Sequence, residues 1–155
     1  MKVLLLQGDY LLKINHFANL DKSVYSKGEK EYCGGIIGFF ICLKDLMDKF
    51  FFDKVVVVWD GFYDGYYKYN RYPALRAMKE EQWNHKKAAI SFPLMELTKK
   101  EFHEHFIIQQ KMRLNELLDE LFIRQIESEV DESYDIIGTY VQEALKVGEE
   151  IYIFG

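Results

Sequence analysis

The chain has little of what cross-links, breaks or anchors a protein. Of 155 residues, two are cysteine and two are proline. Cys33 and Cys42 form neither a CxxC pair nor a zinc spacing, so they read as structural thiols in a reducing, cytoplasmic setting. No apolar run approaches the ~20 residues that a bilayer span needs, which argues against a membrane partner. The N-terminal MKVLLLQGDY has one lysine and an apolar run of only four residues before Gln7, too short for a secretory signal. Internal repeats and low-complexity tracts are also missing.

What remains is an ordinary globular mixture, 49% apolar and 29% charged, which excludes a disordered chain. At this length a single domain over 1–155 is expected, burying roughly two thirds of its unfolded surface. The net charge of −5 is unevenly spread. Segment 62–90 holds Lys68, Arg71, Arg76, Lys79, Lys86 and Lys87 against Asp64, Glu80 and Glu81, a balance of +3 that leaves −8 on the remainder.

Apolar periodicity sets the order of elements. Residues 2–6 read as a buried strand, 10–19 as a helix and 21–31 as a polar loop. Residues 34–50 have helical spacing, and 55–59 (VVVVW) read as a strand covered on both faces. Pro73 stands near the start of a helix beginning around residue 74. Residues 99–122 form the longest helix, with Phe102, Phe106, Met112 or Arg113, Leu117 and Leu121 recurring. A strand over 123–126, a helix over 132–147 closed by Gly148 at C′, and a strand over 151–154 complete the chain. Strands alternating with helices imply an α/β fold with a mostly parallel sheet.

Two constellations carry chemistry. The first is acidic. Asp60 follows VVVVW directly, and Glu132 and Asp135 lie three apart at a helix start, on one face. Gathered beyond the strand ends, such carboxylates repel one another and suit a hard cation, Mg²⁺ or Mn²⁺. Taken singly, each has a plain reading: acids in a first helical turn favour the dipole, and Asp60-Gly61 is a turn pair. The second is cationic and aromatic. The same 62–90 segment interleaves its cations with Tyr63, Tyr66, Tyr67, Tyr69, Tyr72 and Trp83. That supplies charge for phosphates and flat faces for bases, as single-stranded nucleic acid requires. The bland alternative is a tyrosine-rich loop packed on its own domain.

Other residues are less informative. His103 and His105, two apart on a helix, diverge and read as surface residues, as does His85 beside Lys86; His16 is unassigned. Gly34-Gly35 at a helix start fits either close helix packing or a phosphate at the helix N-terminus.

The segments LLLQGDYLL (4–12), GGIIGFFICL (34–43), DKVVVVWDG (53–61), RYPALRA (71–77) and ESYDIIG (132–138), in that order, resemble the 5′-nuclease superfamily. The nearest branch is the phage and bacterial 5′→3′ exonucleases and flap endonucleases. The resemblance implies a PIN-like three-layer fold with a helical arch over about 61–90, and Mg²⁺- or Mn²⁺-dependent phosphodiester hydrolysis of DNA with a 5′ single-stranded end or flap. By position, Asp60, Glu132 and Asp135 match the family's catalytic and metal-binding acids. Arg71 and Arg76 match arch residues near the scissile phosphate, with Lys68, Tyr72 and Lys79 as further nucleic-acid contacts. The departures are Gln7 where the family has Asp, Tyr134 where it has Asp, and the absence of the later acidic motif and the duplex-gripping helix-hairpin-helix part. Asp9 emerges on the face of Gln7 if the first strand continues, and is expected to substitute as a metal ligand. Three readings follow. One is a split nuclease whose hydrolysis needs a complementing protein chain, and another a pseudonuclease that only binds 5′ single-stranded or branched DNA. The third, a compact PIN-type ribonuclease, is disfavoured by the long arch segment.

Overall fold

The computed structural model describes residues 1–61, 72–129 and 131–155. Lys68 and Arg71, with Tyr63, Tyr66, Tyr67 and Tyr69, lie outside the described residues.

Four parallel strands form the central sheet in the order β5-β4-β1-β6. They are β1 (Lys2–Gln7), β4 (Lys54–Trp59), β5 (Arg124–Glu127) and β6 (Glu150–Phe154). The two central strands are buried on both faces, and their side chains divide with period two. Leu4 and Leu6 of β1 join Val57 and Trp59 of β4 in one core; Val3 and Leu5 join Val56 and Val58 in the other. Leu5 pairs with Val56, so alternation is in phase across the two strands. Helices α1 (Gly8–Ala18), α2 (Gly34–Lys49) and α4 (Lys99–Glu120) supply the first core, with Leu11, Phe39, Leu114 and Leu118 fully buried. Helix α5 (Ser133–Lys146) covers the other face through Ile137. A mixed α/β fold with a mostly parallel four-stranded sheet is therefore as the sequence implies. Among the described residues no helix is long and apolar enough to cross a membrane.

Helices α1 and α2 approach closely. A Cβ added at Gly34 would lie 2.1 Å from the backbone oxygen of Asn19, so the paired glycines of α2 serve packing. Helix α3 (Pro73–Ser91) begins with Pro73 in its first turn and buries Ala89 alone. It lies along α4 and is otherwise largely open to solvent. Gly148 adopts φ 76° just past α5, the left-handed C′ conformation that its position predicts.

Several expectations are corrected. Residues 21–31 hold a β-hairpin, β2 (Ser23–Ser26) paired antiparallel with β3 (Glu29–Tyr32). Glu29, Lys30 and Glu31 of β3 are exposed and only Tyr32 is half-buried, so this strand gives periodicity no apolar alternation to reveal. Helix α4 buries Phe106, Ile107, Gln110, Leu114 and Leu118, whereas Met112 and Leu121 are exposed. Its stripe is one step removed from the expected one because polar Gln110 is a core residue. His103 is half-buried rather than on the surface, and His16 is buried beside it. Gly35 N–H donates to Gln110 Oε1 at 2.8 Å, Gln110 Nε2 donates to His16 Nδ1 at 2.9 Å, and His16 Nε2 lies 3.0 Å from His103 Nδ1. That order places the His16 proton on Nε2, donating to His103. Burial, then the neighbouring His103, pushes the His16 pKa down to about 4.

Candidate nucleic-acid interface and acidic cleft

Parallel strands bring Gln7, Asp60 and Glu127 to one sheet edge, the carboxyl end, where α/β proteins build their sites. Gln7 ends β1. Its Oε1 accepts from Tyr10 N–H, capping α1, and its Nε2 donates to Ser133 Oγ at 2.7 Å and reaches Asp60 Oδ2 at 3.5 Å. Asp60 Oδ1 accepts from Ser133 N–H at 2.8 Å, which sets this carboxylate at the N-terminus of α5, the positive end of the helix dipole.

Asp9 is not on a continued strand. β1 stops at Gln7, and Asp9 belongs to the first turn of α1. It nevertheless reaches the cleft, because Gly8 lets the helix lie against Trp59: a Cβ there would come within 2.6 Å of the indole. Asp9 Oδ2 accepts from Asp60 N–H at 2.6 Å, and Oδ1 lies 3.2 Å from Lys111 Nζ. Desolvation pushes the Asp9 pKa up and outweighs the lowering by Lys111; the Asp60 charge adds to the rise.

Glu132 and Asp135 flank Ser133 at the N-terminus of α5. Glu132 is 3.2 Å from Lys79 Nζ, and exposed Asp135 accepts from Glu132 N–H at 3.3 Å across the first turn of α5. Tyr134 is exposed. Asp60 and Asp9 are thus in contact, whereas Glu132 and Asp135 are engaged with Lys79 and with α5 itself. Among the described residues no three His, Cys, Asp or Glu are grouped to hold a metal ion. The oxygens of Asp60 are engaged by Ser133 and Gln7, and an ammonium stands against Asp9. The residues present therefore do not fit a divalent cation as they are arranged.

The lysines that reach the cleft come from three helices. Lys13 of α1, Lys86 of α3 and Lys100 of α4 line one cavity of about 290 Å³ with Gln7 and three carboxylates, Asp9, Asp60 and Glu104. An adjoining cavity of about 330 Å³ shares Asp9, Asp60 and Lys86, and adds Lys111 and Glu127. Tyr72 is exposed just before α3, and Arg76 pairs with Glu80 at 3.1 Å one turn on. Lys13, Lys100, Lys111, Ser133 and Glu127 were not legible as site residues. Lys13 and Lys100 come from separate elements that the fold alone brings together. Lys111 carried a signal: half-buried, it is spaced with the buried Ile107, Leu114 and Leu118 of α4, where an apolar residue is the ordinary choice.

No family model matches the sequence, and no curated protein matches it. Solved structures do match in shape. One is the D15 flap endonuclease of bacteriophage T5, as a pseudo-enzyme–product complex with DNA and metal ions. It aligns with a TM-score of 0.63 at 10% identity, over 99% of this chain and 48% of that one. The T5 D15 protein co-crystallized with metal ions aligns with a TM-score of 0.59 at 9% identity, over 99% and 47%. The chain spans about half the length of these structures. At such identity the likeness is one of fold: a flap-endonuclease-like α/β architecture.

Proposed function

We propose that this chain is a DNA-binding domain of 5′-nuclease type that holds 5′ single-stranded or branched DNA and does not hydrolyse it alone. The observation that carries the reading is the convergence of Lys13, Lys86 and Lys100, from three helices, on the cavity at the carboxyl edge of the sheet. Lysines so placed supply a phosphate site, and exposed Tyr72 at the foot of α3 offers a face for a base. The DNA held by the structural neighbour supports DNA as the nucleic acid.

Loss of catalysis follows from the carboxyl edge. Gln7 brings an amide donor where the family resemblance expects an ionised carboxylate, and its N–H groups satisfy Ser133 and approach Asp60. A neutral amide adds no anionic charge for a cation, and charge count helps set metal affinity.

The test is fluorescence anisotropy with a labelled 5′-overhang duplex, the matching blunt duplex and single-stranded RNA, across a salt series in EDTA. The overhang duplex is expected to bind most tightly. Combining Lys13→Ala, Lys86→Ala and Lys100→Ala should weaken binding and flatten the salt dependence by about 0.7–0.9 per phosphate contact removed. Unchanged binding, or a preference for RNA, overturns the reading. Divalent-cation-dependent cleavage gained on adding a second polypeptide makes the chain one part of a split nuclease instead.

A further inference from the structure

A lysine stands where oxygen ligands converge. Lys111 Nζ lies 3.2 Å from Asp9 Oδ1 and 3.6 Å from Glu127 Oε1, and donates to the backbone oxygen of Asp60 at 3.1 Å. These three oxygens come from α1, the end of β5 and the residue after β4. The same ammonium lies 5.1 Å from the centre of the Trp59 ring, which offers its electron-rich face. Its side chain is 15% exposed and that of Asp9 26%, so this pair is partly withdrawn from water, where charge pairing is stronger, whereas Glu127 is 40% exposed.

We propose that the Lys111 ammonium is the resident cation of this cleft, and that removing it leaves a site for a divalent cation. Asp9, Asp60 and Glu127 bring negative charge to one sheet edge, and an uncompensated cluster of that kind opposes folding. Lys111 balances it from within the chain, with no dependence on dissolved ions. A divalent cation needs several oxygens within about 2.0–2.6 Å. It has no place while the ammonium occupies the point on which those oxygens converge. The inference concerns Lys111 and its three oxygen partners alone, and stands whether or not the chain binds DNA.

The experiment is thermal unfolding in EDTA and in Mn²⁺ alone, for the wild type, Lys111→Arg and Lys111→Ala. The wild-type and arginine proteins should have the same Tm in both conditions. Lys111→Ala should melt lower in EDTA and rise by about 5 °C with Mn²⁺, and adding Asp9→Asn should abolish that rise. A wild-type Tm that rises with Mn²⁺ as far as the variant's overturns the proposal, as does a folded Lys111→Ala protein indifferent to Mn²⁺. Water-proton relaxation of Mn²⁺ with the wild type tests the same point should the alanine variant fail to fold. Absence of enhancement at stoichiometric Mn²⁺ supports the proposal, and enhancement overturns it.

Discussion

The side-chain amide of Gln7 donates to Ser133 Oγ at 2.7 Å, joining the end of β1 to the start of α5 across 126 positions of sequence. This contact ties the central strand to the helix on the second face. The same residue caps α1 on the first face by accepting from Tyr10 N–H. Gln7 is 3% exposed, so each bond is one that water cannot readily replace.

Gln7→Ala should therefore destabilise the fold by about 2 kcal/mol, from an unpaired buried hydroxyl and a lost cap. Chemical denaturation measures it. A change within experimental error would mean that Ser133 and Tyr10 find other partners.

Stability should fall in acid through His16. Its pKa is about 4 in the folded chain against an ordinary 6.5. The unfolded chain therefore takes up this proton first as pH falls. The contribution is complete above pH 6.5 and is lost between 6.5 and about 4, on the order of 3 kcal/mol. The groups facing His16 are His103, Tyr32 and Gln110. Denaturation midpoints for the wild type and His16→Met at pH 7 and 4.5 should converge in acid. Parallel profiles would remove His16 as the cause.

Gly34→Ala should cost about 1–3 kcal/mol by overpacking, because the atom its Cβ meets at 2.1 Å is backbone and cannot swing aside. A Tm scan is sufficient. An alanine tolerated without loss would reopen the phosphate-binding reading of the paired glycines.

Asp135 accepts a hydrogen bond within the first turn of α5, so Asp135→Ala should lower stability by about 1 kcal/mol and leave the Mn²⁺ response of the protein unchanged. A variant that kept its stability but altered ion binding would return Asp135 to the metal-ligand role that the family resemblance implies.

Much of the fold was legible because burial writes itself into period. The VVVVW run had to be a strand covered twice, and the alternation of strands with long helices left a parallel sheet as the economical arrangement. The place of Asp60 at the carboxyl edge of the sheet was legible because it follows such a strand directly. The β2–β3 hairpin was not, since β3 is polar and leaves no apolar trace, and neither was the true stripe of α4, since its buried Gln110 and half-buried Lys111 are polar. Charge, order of elements and the acids at strand and helix ends belong to the sequence itself. That Asp9 meets Asp60 from a helix, that three distant lysines share one cavity, and that Lys111 stands among acidic oxygens belong to the tertiary structure alone. Such contacts depend on which residues the sheet edge and helix packing bring within a few ångströms, and separation along the chain carries no record of that distance.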